Sequence, residues 1–280
     1  VYMTRNNFVG TFPVAKPDNR NMGSKLKDDT FTVKTPVVNA DDVAPTFGST
    51  DTEWTITDLF GVDYDDPMWD ELISQLSLGT CARLICKGGF GTIEIAEIGK
   101  PETVDTDGPT GFNNSVVGQG DLKAACYPSS TILAQTWDWY MAYQVGMGIG
   151  EEGTAIGVQG WYGPGANLHR SVMGGRNFEY YSEDPILSGY MCANHVLGAK
   201  KEGVTAYIKH IAVNDSESGR NGAYKWLTEQ NMRENYLKVF EIAVKVGEAN
   251  AMMSSVAHVR QAVGLCLQAC SATSGASAAR

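Results

Sequence analysis

Three separate segments of the sequence carry side chains that could bind a polar ligand. In residues 105–111, Asp107 precedes a Gly-Pro turn, and its carboxylate can accept hydrogen bonds from ligand hydroxyl groups. Lys209 and His210 follow a β-type run, where a cation and an imidazole could hold hydroxyl groups or offset a carboxylate. Each of these two segments also fits a structural role, as a turn-forming Asp or a structural ion pair.

The segment between them, residues 163–185, is the richest of the three. It combines closely spaced glycines with Arg170, Arg176, Glu179 and three aromatic residues. A sugar ring offers hydroxyl groups for charged hydrogen bonds and C–H faces for aromatic rings, so this composition predicts carbohydrate binding. A solvated surface loop is the alternative, but such loops rarely contain so many aromatic residues.

Several other site chemistries have no support in the sequence. No second His or Cys lies at ligand spacing from His210, and Cys266 and Cys270 lack the second pair or nearby His of a zinc site. The sequence also lacks the G-x-S-x-G elbow of serine hydrolases and both common nucleotide-binding glycine motifs. We therefore predict no metal and no cofactor.

The overall composition narrows the class of protein further. The 280 residues are 43% hydrophobic and 19% charged, which is typical of a folded globular chain. The net charge of −10 argues against a nucleic-acid partner, because phosphate backbones require a basic face. No stretch approaches the ~20 apolar residues of a membrane span, so we predict no membrane partner.

Alternating strand and helix patterns must position the three segments. Short β-type runs occupy residues 92–98, 157–161, 204–208 and 251–255. Between them, apolar residues repeat at helical spacing after Asp184-Pro185 and again over residues 232–246. Repeated βα units indicate an α/β fold with a parallel sheet. The missing nucleotide motifs favour a closed (β/α)8 barrel over an open doubly wound sheet, and barrel sites lie at the carboxyl ends of strands.

The chain divides into three predicted regions. Residues 1–65 are polar, show no sustained periodicity and read as a linker or a strap. Residues 66–260 form the predicted barrel domain, and residues 261–280 form an atypical Ala- and Ser-rich tail.

At the candidate segments the sequence resembles glycoside hydrolase family 3, the β-glucosidase family. The resemblance covers about residues 65–255, and its most specific part is the block at 175–185. The other matching motifs include Asp107-Gly108-Pro109-Thr110-Gly111, Gly163-Pro164-Gly165-Ala166-Asn167, Lys209-His210 and Met252-Met253-Ser254-Ser255.

The resemblance implies a TIM-like barrel that binds the terminal sugar of a β-linked glucoside or oligosaccharide. It implies four residues that contact the sugar hydroxyl groups and two that support them. The contacting residues would be Asp107, Arg176, Lys209 and His210, and the supporting residues would be Glu179 and Arg170. The Lys209–Asn214 run looks like the glucosidase branch rather than the N-acetylglucosaminidase branch.

The family also implies retaining hydrolysis by two carboxylates about 5–5.5 Å apart. The family nucleophile is an Asp in a Ser-Asp-Trp motif beyond the Met-Met-Ser-Ser strand, and this sequence contains no such motif. The family acid usually comes from an additional α/β domain, which has no counterpart here. The catalytic residues are therefore not identified from the sequence, and we expect a barrel that is incomplete at its C-terminal end. The alternative function is a non-catalytic relative that only binds sugar.

Overall fold

A computed structural model describes residues 39–42, 47–48, 52–112, 124–217, 220, 224–255 and 258–261. These residues form two compact units. The smaller unit comprises residues up to Arg83 together with Ile95–Lys100, and the larger comprises Leu84–Glu94 and the residues from Pro101 onward. All candidate site residues belong to the larger unit.

The smaller unit contains the first helix among the described residues. Helix α1 (Met68–Ser74) begins after Pro67, and the Asp66 carboxylate accepts a hydrogen bond from the Met68 amide at 2.9 Å. Helix α2 (Leu78–Lys87) follows, and its residues up to Arg83 belong to this unit. The predicted strand at 92–98 is wrong beyond its first residue, because Ala96–Ile98 form a 3-10 helix whose Ile98 is buried.

The larger unit is built on a mainly parallel sheet, as the α/β prediction requires. Its strands are β1 (Gly91–Thr92), β2 (Thr103–Asp107), β3 (Gly160–Tyr162), β4 (Thr205–Ile211), β5 (Tyr224–Leu227), β6 (Ala251–Ser254) and β7 (His258–Gln261). The sheet order is β1-β2-β3-β4-β6, with β1 antiparallel to β2 and the other neighbours parallel. Strands β5 and β7 form a separate parallel pair.

Helices connect the parallel strands and cover the sheet. They are α3 (Ser130–Gln135), α4 (Trp139–Ile156), a 3-10 turn (Asn177–Glu179), α5 (Pro185–Lys201), α6 (Glu229–Asn231), a π-helical segment (Met232–Tyr236) and α7 (Leu237–Lys245). The predicted start of α5 is confirmed, since the Asp184 side chain caps the amides of Ile186 and Leu187 and Pro185 takes the first helical position. Among the described residues, no helix has both the length and the apolar character that crossing a bilayer requires.

Helices α4 and α5 approach each other closely at glycines. A Cβ atom placed on Gly146 of α4 would collide with the backbone carbonyl oxygen of His195, and one on Gly198 of α5 would lie 2.7 Å from the Met147 amide nitrogen. The two backbones therefore pack without intervening side chains at this point.

His195 of α5 is a core histidine. The residue is 2% exposed, its Nδ1 lies 2.8 Å from the Tyr181 hydroxyl, and its ring centroid lies 4.9 Å from that of Trp161. Burial lowers the pKa of His195 from 6.5 to about 3. The folded chain therefore keeps this ring neutral in mildly acidic solution.

Replacing His195 with Gln should reduce the pH dependence of stability. As the pH falls below about 6.5, His195 becomes protonated in the unfolded chain but not in the folded chain. The stabilising contribution of His195 is therefore present above that pH and is lost progressively in acid. One such proton changes the free energy of unfolding by about 1.4 kcal/mol per pH unit. Urea unfolding at about pH 6, 5 and 4 measures the slope. An unchanged slope in His195→Gln would contradict the neutral assignment.

The predicted strap at residues 1–65 and tail at 261–280 lie largely outside the described residues. The domain boundaries drawn from the sequence therefore remain a prediction.

Candidate functional site

An ion pair joins the carboxyl ends of β2 and β4. The Lys209 Nζ atom lies 2.5 Å from Oδ1 of Asp107, and the Lys209 side chain is only 1% exposed whereas that of Asp107 is 31% exposed. Strand β3 lies between β2 and β4 in the sheet, so the two side chains meet across the carboxyl end of β3. The buried Lys209 ammonium group thus holds a carboxylate that is partly exposed to solvent. A ligand can therefore reach the Asp107 carboxylate.

The backbone of Lys209 and His210 is held by the segment that follows β3. Lys209 donates its amide hydrogen to the Pro164 carbonyl at 3.1 Å and accepts from the Ala166 amide at 2.5 Å. The Asn167 side chain accepts from the His210 amide at 2.8 Å and donates to the carbonyls of His210 and Ala212 at 2.9 and 2.8 Å. The Lys209–His210 peptide bond is cis.

The His210 ring is buried beside Tyr180. Its Nδ1 atom lies 3.2 Å from the Tyr180 hydroxyl, and the two rings meet edge to face with centroids 6.3 Å apart. Burial, together with the positive charges of Arg176, Lys209 and Arg220, lowers the pKa of His210 to about 2. The imidazole is therefore neutral at neutral pH.

Arg176 and Glu179, two of the predicted site residues, form an ion pair. The guanidinium lies 2.6 Å from the carboxylate of Glu179, a residue that is 2% exposed. Burial opposes the charge of Arg176, but the charge and hydrogen bond of Glu179, together with Tyr180 and Glu217, outweigh burial and raise the pKa of Arg176 above its ordinary value. Arg176 also lies 3.8 Å from Glu217, which pairs with Arg220 at 2.8 Å. Several charges thus fix the position of the guanidinium.

The segment carrying Arg176, Glu179 and Tyr180 is fixed through its backbone. Nε2 of His169 lies 2.9 and 3.0 Å from the carbonyl oxygens of Asn177 and Tyr180. The Thr131 hydroxyl donates to the same two carbonyls at 2.7 and 2.9 Å. The 3-10 turn is therefore held from two sides, which limits how far its side chains can move.

Arg170 has a different environment from the other predicted residues. Its guanidinium carbon lies 5.9 Å from the ring centroid of Tyr236, within cation–π distance. Burial and the charge of Asp215 raise the pKa of Tyr236 to about 12, an effect that Arg170 opposes. The supporting role of Arg170 at a sugar site stays a prediction.

The structure links five of the six predicted residues. Asp107 pairs with Lys209, and His210 is the next residue in the chain. Arg176 pairs with Glu179, and its positive charge acts on His210. Tyr180, the neighbour of Glu179 in the chain, contacts the His210 ring. The sequence analysis did not assign roles to Asn167, Tyr180 or Asn214, although all three stand within the motifs that it singled out, nor to Glu217, which lies three residues beyond Asn214. Among the described residues, His, Cys, Asp and Glu side chains nowhere form a group of three that could hold a metal ion.

These features define an α/β barrel-type domain with a polar site at the carboxyl ends of its parallel strands. A family model described as the glycosyl hydrolase family 3 N terminal domain matches residues 97–265. The chain belongs to this family.

Known relatives support the same assignment. Beta-glucosidase B of Emericella nidulans is 36% identical over 192 residues, which cover 68% of this chain and 23% of that protein. The structure of beta-glucosidase 3B from Thermotoga neapolitana in complex with alpha-D-glucose matches with a TM-score of 0.63 and 34% identity, over 69% of this chain and 30% of that one. A beta-glucosidase from Paenibacillus barengoltzii matches with a TM-score of 0.66 and 32% identity, over 77% and 24% respectively.

These matches confirm the predicted fold class, a TIM-like α/β barrel. The described residues contain four of its parallel strands, β2, β3, β4 and β6, and not a closed barrel. The chain spans about a quarter of the length of the curated relatives that it matches.

Proposed function

We propose that this chain forms the sugar-binding part of an active site that hydrolyses terminal β-D-glucosyl residues. The observation that carries the proposal is the meeting of Asp107, Lys209 and His210 at one sheet edge, with Arg176 linked to them. The relatives that are named beta-glucosidases, and the neighbouring structure with bound glucose, support glucose as the sugar.

The chemistry of these groups fits a sugar ring. The partly exposed Asp107 carboxylate can accept hydrogen bonds from two adjacent hydroxyl groups, and the buried Lys209 ammonium group balances the charge of the carboxylate. Neutral His210 and the fixed guanidinium of Arg176 supply donors. In this proposal Glu179 orients Arg176, and Arg170 supports the site from the Tyr236 side.

Hydrolysis with retention needs a nucleophilic carboxylate and an acid, and none of the six site residues is assigned to either role. In this proposal both groups come from parts of the protein that these 280 residues do not include. One such part is the additional α/β domain that the family resemblance implies.

Calorimetry with glucose tests the sugar-binding part of the proposal. We expect Asp107→Asn to weaken glucose binding by about tenfold or more, because a hydrogen bond to a charged group contributes about 1.5–3 kcal/mol. Glu248→Gln is the matched control, since it makes the same carboxylate-to-amide change. Glu248 pairs with Lys200 at the surface, and its side chain is 64% exposed. An unchanged isotherm for folded Asp107→Asn would remove Asp107 from the site.

The missing Ser-Asp-Trp motif favours a second candidate, sugar binding without hydrolysis. An aryl β-glucoside assay and intact-mass analysis after treatment with a 2-deoxy-2-fluoro glucoside separate the two. Turnover with a covalent adduct would show that this chain holds its own nucleophile. Glucose binding without either result would support the second candidate for the chain alone.

A further inference from the structure

We propose that a hydrogen-bond chain from Glu217 through Asn214 and Tyr180 to His210 sets the tautomer of His210, so that Nε2 carries its proton. Tyr180 and Asn214 are then positioning residues that make the His210 ring a hydrogen-bond donor through Nε2. The use of that donor for a sugar hydroxyl rests on the proposed function, whereas the tautomer itself does not.

The first step concerns the amide of Asn214. Its Nδ2 atom lies 3.1 Å from Oε1 of Glu217 and 2.9 Å from the Tyr180 hydroxyl. A carboxylate only accepts hydrogen bonds, so the NH2 group rather than the oxygen of the amide must face Glu217. The opposite orientation would place two acceptors 3.1 Å apart with no hydrogen between them. Asn214 thus donates one hydrogen to Glu217 and the other to Tyr180.

Two arginines keep the Glu217 carboxylate in place. Arg220 lies 2.8 Å from Oε2 and Arg176 lies 3.8 Å from Oε1. The Oε1 atom of Glu217 is therefore held where it accepts the hydrogen bond from Asn214.

The second step concerns the hydroxyl of Tyr180, a side chain that is almost fully buried. Burial, with a smaller effect from the Glu179 charge, raises the pKa of Tyr180 above its ordinary value, so the hydroxyl keeps its hydrogen. Because the oxygen accepts from Asn214, that hydrogen is available for the other neighbour, Nδ1 of His210 at 3.2 Å.

The third step follows for the ring of His210. A neutral imidazole carries one N–H, and an Nδ1 atom that accepts from Tyr180 leaves the proton on Nε2. The Asn167 contacts hold the backbone of His210, so the backbone position and the tautomer of the ring are set by different residues.

Nitrogen-15 NMR of the histidine rings tests the tautomer directly, without any sugar. In the wild-type chain we expect an unprotonated Nδ1 and a protonated Nε2 for His210 at neutral pH, with His210→Gln identifying its signals. A protonated Nδ1, or a doubly protonated ring, would overturn the proposal.

Tyr180→Phe tests the chain of bonds. Loss of the hydroxyl should shift the His210 signals towards a mixture of both neutral tautomers. Tyr181→Phe is the matched control, because it removes a hydroxyl from a second buried Tyr–His pair, that of His195, and should leave His210 unchanged. Signals of His210 that are the same in Tyr180→Phe as in the wild type would refute the role of Tyr180.

Glucose binding separates this proposal from the proposed function. If the wild-type chain binds glucose, Tyr180→Phe should weaken binding several-fold while Tyr181→Phe does not, and equal binding in both would refute the donor role of His210. If the wild-type chain does not bind glucose, the proposed function fails, and the nitrogen signals still decide the tautomer.

Discussion

Replacing Asp107 with Asn should cost far more folding free energy than replacing its partner Lys209 with Met. The two side chains form one ion pair, but Lys209 is 1% exposed and Asp107 is 31% exposed. Loss of the carboxylate leaves a buried ammonium group without its counter-charge, which costs about 3 kcal/mol. Loss of the ammonium leaves a carboxylate that still reaches water, and the Met side chain fills the buried space, so the cost is about 1 kcal/mol or less.

The midpoint and slope of urea unfolding measure both costs. The double variant Asp107→Asn with Lys209→Met should be more stable than Asp107→Asn alone, because it no longer contains the unpaired cation. The coupling between the two substitutions gives the free energy of their interaction. Equal costs for the two single variants would show that the burial difference does not control the energetics of this pair.

The sequence predicted the parts of the fold that local signals control. The start of α5 was predictable because an Asp cap and a Pro at the first helical position act within a few residues. Strand β3 begins later than the predicted run at 157, because Gly157 has a φ of 78° and ends helix α4 in the left-handed conformation. Strand β2 was not predicted at all, since its Thr and Asp residues do not alternate with apolar residues.

The candidate site shows the same division. Asp107 was predicted because it precedes a Gly-Pro turn, and the Lys209-His210 pair because it follows a β-type run. The carboxyl ends of parallel strands then bring them together at one edge of the sheet. The roles of Asn167, Tyr180 and Asn214 depend on hydrogen bonds between residues 30 to 43 positions apart. No local pattern encodes such pairings, so only the folded chain reveals them.

Replacing Gly146 with Ala should strongly destabilise the larger unit. A Cβ atom at this position would collide with the carbonyl oxygen of His195 and lie 3.1 Å from the amide nitrogen of Ala199, both backbone atoms of α5. Backbone atoms inside a helix cannot move away singly, so α4 and α5 must separate. We expect a loss of about 3 kcal/mol, which exceeds the gain of about 1 kcal/mol in helix propensity.

Gly148→Ala provides the matched control on the same helix. The three atoms nearest to its Cβ atom would all belong to the Tyr127 side chain, whose hydroxyl lies 2.6 Å away at the far end of a side chain that can turn aside. We therefore expect a small change in the urea midpoint for Gly148→Ala and a large decrease for Gly146→Ala.

Gly146→Ala should also disturb the candidate site, because α5 begins directly after the segment that carries Arg176, Glu179 and Tyr180. Displacing α5 pulls on the Asp184 cap and so on the 3-10 turn at Asn177–Glu179. Glucose binding by Gly146→Ala, measured at a temperature where circular dichroism shows a folded chain, should therefore weaken while that of Gly148→Ala does not. Equal stability of the two variants would mean that α4 and α5 do not pack backbone to backbone at Gly146.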